Sequence, residues 1–324
     1  MHRRTRTVNR HLILIGIVVG LIAICTGVAR SADAPADGSL RIANDENTVS
    51  IFDGKQPVAH YRFTDVPFKP CVQQWFTPSG INVLRDSPHD HKHHHALMFA
   101  VSVDGVDFWS EAANCGKQQH RSLTNLGVST GDGVTRARFT QQIDWTAPNV
   151  EKPLAAERRT IEAWTADDLD ASLLVWHTHL EPAGGRESIT LGGSHYFGLG
   201  LRFIESMDGT GKFFYADGKP GEVVRGAERL THTRWCAYTA PADGKPVTVA
   251  VFDHPTNARH PAAMFTMPNF AYISATLNLT KEPLKIEAAK PLELTYAVAL
   301  WDGPVEPAKI EKLYRWWVKQ ISGK

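Results

Sequence analysis

Between Asp86 and His95 the chain places five histidines and two aspartates within ten residues. Imidazole gains and loses a proton near neutral pH and is the commonest ligand of transition metals. A carboxylate beside it can orient it or work with it as an acid–base pair. Pro88 argues against a helix through the segment. If His91–His95 enters a strand, alternation sets His91, His93 and His95 on one face and Lys92 and His94 on the other. Such a face would ligate a metal or form a polar wall over a sugar; the plain alternative is a solvated loop.

Four further segments carry chemistry-bearing residues. Asp104-Gly105 is a strong hairpin turn pair, and it brings Phe108–Glu111 back beside Leu97–Val101, so that Glu111 approaches the histidines and Trp109 offers an apolar platform. His177-Thr-His179 alternates onto the face of Leu173 and Val175, a metal-ligand geometry and equally an ordinary half-buried strand end. In Ser194-His-Tyr-Phe-Gly-Leu-Gly-Leu-Arg202, Gly198 and Gly200 leave one strand face bare for a close approach. There Arg202 would hold a carboxylate, a hydroxyl or a structural ion pair. Asp253-His-Pro-Thr-Asn-Ala-Arg-His-Pro261 follows an apolar strand, so Asp253, His254, Arg259 and His260 collect at a strand end on a stiff loop.

These segments need a scaffold, and the pattern is β. Candidate strands run over 49–52, 58–63, 96–103, 136–145, 158–164, 172–180, 188–191, 247–252, 271–277, 284–288 and 292–300, separated by Gly/Asp turns such as Asp53-Gly54, Gly131-Asp-Gly133 and Asp243-Gly244. Many short strands with little helix between them predict an all-β protein, a large antiparallel β-sandwich. One C-terminal α-helix is expected after Pro307, with Ile310, Leu313, Tyr314, Trp317 and Ile321 at helical spacing, docked on a sheet edge or end.

The first 34 residues read as a signal peptide: Arg3, Arg4, Arg6 and Arg10, then an apolar run from Leu12 to Val28, then small residues. An uncleaved anchor is the alternative. A periplasmic or secreted protein follows, with residues 35–324 as a single β-sandwich domain and no membrane span after cleavage. With 35 Lys and Arg against 34 Asp and Glu, no charge excess points to nucleic acid as a partner. Cys71, Cys115 and Cys236 permit one disulfide in an oxidising compartment, or three buried thiols.

Taken together and in order, several motifs resemble the DUF6807 family, often labelled PmoA-like: Asp86…Asp90-His-Lys-His-His-His95, Gly105-Val-Asp-Phe-Trp109 with Glu111, Gly198-Leu-Gly-Leu-Arg202, Asp253-His-Pro-Thr-Asn-Ala-Arg-His-Pro261 and Thr77-Pro-Ser-Gly80. The resemblance spans about residues 40 to 320. At 95–96 this chain has His-Ala where members often have Arg-Gly or His-Gly. The family's function is uncharacterised. Its label implies a copper monooxygenase subunit, a bundle of membrane helices that this β-rich chain does not fit. Its all-β character is similar to the sandwich of galactose mutarotases.

The expectation is an exported carbohydrate-active enzyme using acid–base chemistry of the epimerase, lyase or hydrolase kind on a small-molecule or oligosaccharide substrate. His93, His94, Glu111, Asp253, His254 and His260 would be catalytic; Asp90, Trp75, Trp109, Arg202 and Arg259 would bind substrate. No cofactor is expected. The alternatives are an enzyme holding zinc, copper or iron on His91, His93, His95, His177 and His179, or a non-catalytic sugar-binding or cell-envelope module.

Overall fold

In the computed structural model the described residues are His2 and 40–323. The chain divides into Met1–Pro35 and Ala36–Lys324. Apart from His2, the expected signal peptide lies outside the described residues, and the fold is that of the second unit. No helix among the described residues is long and apolar enough to cross a membrane.

Period-two alternation builds the core. Along Ser172–Pro182, Leu174 and Trp176 enter one apolar cluster while Leu173 and Val175 enter another. Leu292–Asp302 repeats this, with Leu294, Tyr296, Val298 and Leu300 on one side and Ala297, Ala299 and Trp301 on the other. These strands are buried on both faces and so read as continuous apolar runs. The first cluster joins side chains of two large sheets. The second lies beneath the helix Pro307–Ser322, which contributes Ile310, Tyr314 and Trp317. The helix therefore covers the outer face of a sheet rather than its edge or end, because alternate residues of the central strands leave an apolar surface there that water would otherwise meet.

All sheet pairings are antiparallel. The ten-stranded sheet runs, in spatial order, Leu40–Asn44, Thr48–Asp53, Gln56–Arg62, Cys71–Trp75, Leu97–Ala100, Gly198–Arg202, Phe270–Thr276, Ala263–Met267, Glu228–His232, Glu222–Arg225. An eight-stranded sheet has Lys245–Asp253, Leu292–Asp302 and Ser172–Pro182 near its centre and ends at Lys117–Gly131. A four-stranded sheet holds the hairpin Ser102–Val103 and Val106–Asp107. The all-β antiparallel class with one C-terminal helix is as the alternation predicts. Lys117–Gly131 escapes sequence pattern because it is an edge strand, mostly exposed and polar. Cys71, Cys115 and Cys236 are free and buried.

Candidate active site

The turn at Asp104-Gly105, with φ of 49° and 82°, closes the short hairpin. Asp107 Oδ1 then accepts from the amides of Trp109 (2.6 Å) and Ser110 (3.0 Å). This folds the chain back so that Glu111 Oε1 meets His95 Nε2 at 2.6 Å. The other ring nitrogen, Nδ1, lies 2.7 Å from Asp86 Oδ1. Burial alone disfavours a charged imidazole, but hydrogen bonds to Asp86 and then Glu111 outweigh it and raise the pKa of His95. Burial likewise opposes ionisation of both carboxylates, yet His95 keeps Asp86 and Glu111 below their usual range. Lys69, fully buried, donates to Glu111 Oε1 (2.8 Å) and to the Trp109 carbonyl (3.0 Å). Two cations and two anions thus form one largely buried network, which Gln73 (2.9 Å) and Arg62 (3.6 Å) extend from Asp86.

Residues 91–94 form a turn, not a strand. His91 N–H donates to the Pro88 carbonyl at 3.0 Å and His94 N–H to the His91 carbonyl at 2.8 Å. The turn breaks the expected alternation: His91, His93 and His94 group together, and His95 points back to the buried carboxylates. Ring centroids lie 4.6 Å apart for His93–His94, 4.8 Å for His91–His94 and 5.9 Å for His91–His93. His94 is 5% exposed and stacks on Tyr272 (5.0 Å, 23°). Burial, reinforced by His93 and His91, lowers its pKa to about 2, so it is neutral at pH 7. Burial, with Lys69, also lowers the pKa of His93.

These three imidazoles line a cavity of about 360 Å³ with Tyr196, Phe265, Met267, Phe270, Tyr272, Arg225 and Glu228. Gly200 makes room for its wall: a Cβ there would stand 2.3 Å from the Tyr272 hydroxyl. The close approach anticipated at this glycine is thus made by a neighbouring strand. At the far side Glu228 accepts from Arg225 Nε (2.9 Å) and Nη2 (2.6 Å) and pairs with His195 Nε2 at 2.8 Å. Burial opposes the charge of Glu228; Arg225 and His195 overcome it and lower its pKa. Apolar walls with a few convergent polar groups, at this size, are typical of small-molecule sites.

The sequence matches DUF6807, a family of unknown function, over residues 48–315. The chain belongs to that family. No curated protein sequence matches it. Among solved structures it is similar to a GH36 alpha-galactosidase from Geobacillus stearothermophilus (8% identity, TM-score 0.42, 82% of this chain and 41% of that one). It is also similar to a TPR-domain containing protein from Parabacteroides distasonis (10%, 0.40, 81% and 48%). A Klebsiella pneumoniae protein assigned as an aldose 1-epimerase gives 9% identity and a TM-score of 0.37 over 85% and 86% of the two chains. The chain spans less than half of the first two. All three TM-scores fall below 0.5, and the reading of the site rests on its own geometry.

Several expected site residues of this DUF6807 protein sit elsewhere. Trp75 is fully buried in the core and offers no ring face to a ligand. Trp109, 1% exposed, stacks on Phe197 (5.0 Å, 11°) and backs the cavity wall from behind. Arg202, 2% exposed, is held by Asp208 through two bonds of 2.9 Å and lies 4.0 Å over the Phe270 ring, so it braces the wall instead of reaching a substrate. Asp90 is exposed and lies 3.0 Å from His91 Nδ1.

The loop after Lys245–Asp253 does not line the cavity. Asp253 accepts from Asn257 (2.7 Å) and the Ala262 amide (2.8 Å) and pairs with His260 (2.6 Å); it fastens the loop. His254 packs edge-on against Trp317 of the helix, and burial lowers its pKa. Arg259 donates to the Leu277 carbonyl at 2.7 Å. The five-histidine metal set does not assemble either. His177 and His179 lie on a strand of the eight-stranded sheet, against Thr295 (3.0 Å) and Glu293 respectively. They share the parity of Leu173 and Val175, which face the helix-covered side, whereas His95 is spent on its carboxylates. Among the described residues the ligand atoms that converge belong to Cys71, Asp86 and His95. There the His95–Asp86 hydrogen bond already occupies the donors, with Arg62 3.6 Å from Asp86.

Sequence reading overlooked Lys69, Tyr196, Arg225, Glu228, Phe265, Phe270 and Tyr272. His195 and Tyr196 lay inside a motif noticed for its glycines. Nothing in Arg225-Gly-Ala-Glu228 distinguishes it from any surface hairpin turn; only the pairing of edge strands brings it to the histidines.

Proposed function

We propose that this protein is an exported carbohydrate-active enzyme whose His91–His94 cavity binds a sugar and moves protons on it. The observation that carries this is the convergence of three imidazoles and four aromatic rings, from distant parts of the chain, on one cavity of about 360 Å³. Aromatic rings bury the C–H faces of a sugar, and polar groups between them meet its hydroxyls. His93, half-buried with its pKa lowered by burial, is neutral at pH 7 and accepts a proton as general base. His91, held against Asp90, lies in the same cavity and returns one. Two-carboxylate hydrolysis is less well supported, because among the lining residues Glu228 is the single carboxylate and it is committed to Arg225 and His195. One base and one acid suit ring opening, epimerisation or elimination.

The test is to incubate purified protein with a panel of monosaccharides and their unsaturated or lactone derivatives and follow their proton NMR spectra. Catalysed anomer exchange, epimerisation or elimination is expected. His93→Ala should slow it by roughly 100-fold or more, the usual share of a general base, with binding retained. The reading fails if no sugar binds or changes, or if turnover survives His93→Ala.

A further inference from the structure

We infer that the cavity selects an uncharged sugar and rejects uronates, sugar phosphates and amino sugars. This rests on the sugar-binding reading above and names the substrate class of that same site.

Each charge at the cavity is already matched. Arg225 spends Nε and Nη2 on Glu228 at 2.9 and 2.6 Å, and Glu228 also holds His195 at 2.8 Å. Behind the wall, Arg202 is matched by Asp208 through two bonds of 2.9 Å. Below the histidine turn, Lys69 and His95 are matched by Glu111 and Asp86, at 2.8, 2.6 and 2.7 Å. The remaining polar groups on the lining are His91, His93, His94 and Tyr196; Tyr272 presents its ring, with its hydroxyl buried behind the wall beside Gly200. Of these, His93 and His94 are kept neutral by burial.

A ligand carboxylate or phosphate entering among Phe265, Met267 and Phe270 would lose water and find no unmatched cation among the described residues that line the cavity. Its nearest candidate, Arg225, already has its charge offset by Glu228, so an anion approaching it would also meet the repulsion of that carboxylate. An ammonium group would meet Glu228 already saturated. Taking a charge out of water without a counter-charge is costly, whereas hydroxyls need only donors and acceptors, which imidazoles and the Tyr196 phenol supply in both senses. The selectivity is thus built by the absence of an unmatched charge, a repulsive element against the wrong ligands.

The preference can be reversed by unbalancing the rim. Glu228→Gln leaves Arg225 as an unmatched cation on the cavity rim and should admit a uronate. Arg225→Gln combined with Glu228→Gln removes both charges and should not.

The experiment is saturation-transfer NMR on the full protein with a neutral hexose and 6-deoxyhexose panel, the matching uronates, 2-amino sugars and 6-phosphates. Binding of neutral sugars at least 10-fold tighter than that of their charged counterparts is expected. Glu228→Gln should raise uronate affinity at least 10-fold and the double variant should abolish the gain; circular dichroism establishes that each variant is folded. Charged sugars binding as tightly as neutral ones, or a folded Glu228→Gln with no gain for uronates, would overturn this inference and leave the sugar-binding reading standing. Binding of no sugar in any class would overturn both.

Discussion

His95 Nε2 stands 2.6 Å from Glu111 Oε1, a pair brought together by the hairpin between them. With Asp86 on the opposite ring nitrogen at 2.7 Å, one imidazole is clamped by two carboxylates, and Lys69 at 2.8 Å completes the neutralisation of Glu111. The clamp fixes one end of the 91–94 turn, because Ser87 N–H donates to the His94 carbonyl at 2.8 Å beside the Asp86–His95 bridge. What orients the cavity histidines is therefore a charge network they do not belong to.

Removing one member of that network strands a buried charge. Glu111→Gln should destabilise the protein by about 3–5 kcal/mol in denaturant titration, the usual cost of breaking a buried ion pair. Lys69→Met together with Glu111→Gln should recover part of that loss, since the ammonium would no longer lack its partner. Equal loss in the single and double variants would contradict the coupling.

Stability should be greatest near neutral pH. His94, depressed to about 2 when folded against an ordinary 6.5, takes a proton in the unfolded chain first, so its contribution is present above about 6.5 and lost as pH falls. From pH 7 to 5 this single group costs about 2 kcal/mol, at about 1.4 kcal/mol for each pH unit below 6.5. His95 has the opposite sign. Its pKa is raised, so its contribution is present below 6.5 and lost as pH rises through its folded value. Denaturant midpoints in metal-free buffer from pH 5 to 9 check both limbs, and His95→Gln should remove the loss that His95 causes on the alkaline side.

Gly200→Ala should damage the cavity from behind. The added methyl would stand 2.3 Å from the Tyr272 hydroxyl and 3.0 Å from Trp109, displacing the ring on which His94 stacks. A cost of about 1–3 kcal/mol is expected for such overpacking, with loss of ligand binding at temperatures where the protein stays folded. Gly192→Ala, with nothing within 4 Å of its added Cβ, is the control and should change neither.

Trp317→Ala should separate scaffold from site. The indole is fully buried between the helix and the eight-stranded sheet, beside Phe252 (5.9 Å) and His254 (5.4 Å). Its removal should cost about 3–5 kcal/mol, read as a lower thermal midpoint, while sugar binding by the folded fraction is unchanged. A binding defect at low temperature would link the helix to the cavity.

Alternation, turn pairs and helical spacing were enough to establish the β architecture, the C-terminal helix, the Asp104-Gly105 hairpin and the approach of Glu111 to the histidines. All of these depend on contacts close in sequence, where chain geometry leaves few choices. The sequence could not say which imidazoles face together, because a turn at His91–His94 replaces strand alternation and its hydrogen bonds are set by what packs around it. Nor could it reveal that Asp253 and Arg202 are tied into the framework, or that Arg225 and Glu228 close the cavity. The closing of the cavity depends on strand order in the ten-stranded sheet, which brings Arg225 and Glu228 beside histidines more than a hundred positions earlier; Asp253 and Arg202 are tied by nearby residues whose side-chain directions the sequence pattern does not specify. Tertiary packing also decided which charges are matched, and matching rather than residue type determines what a charged side chain is free to bind.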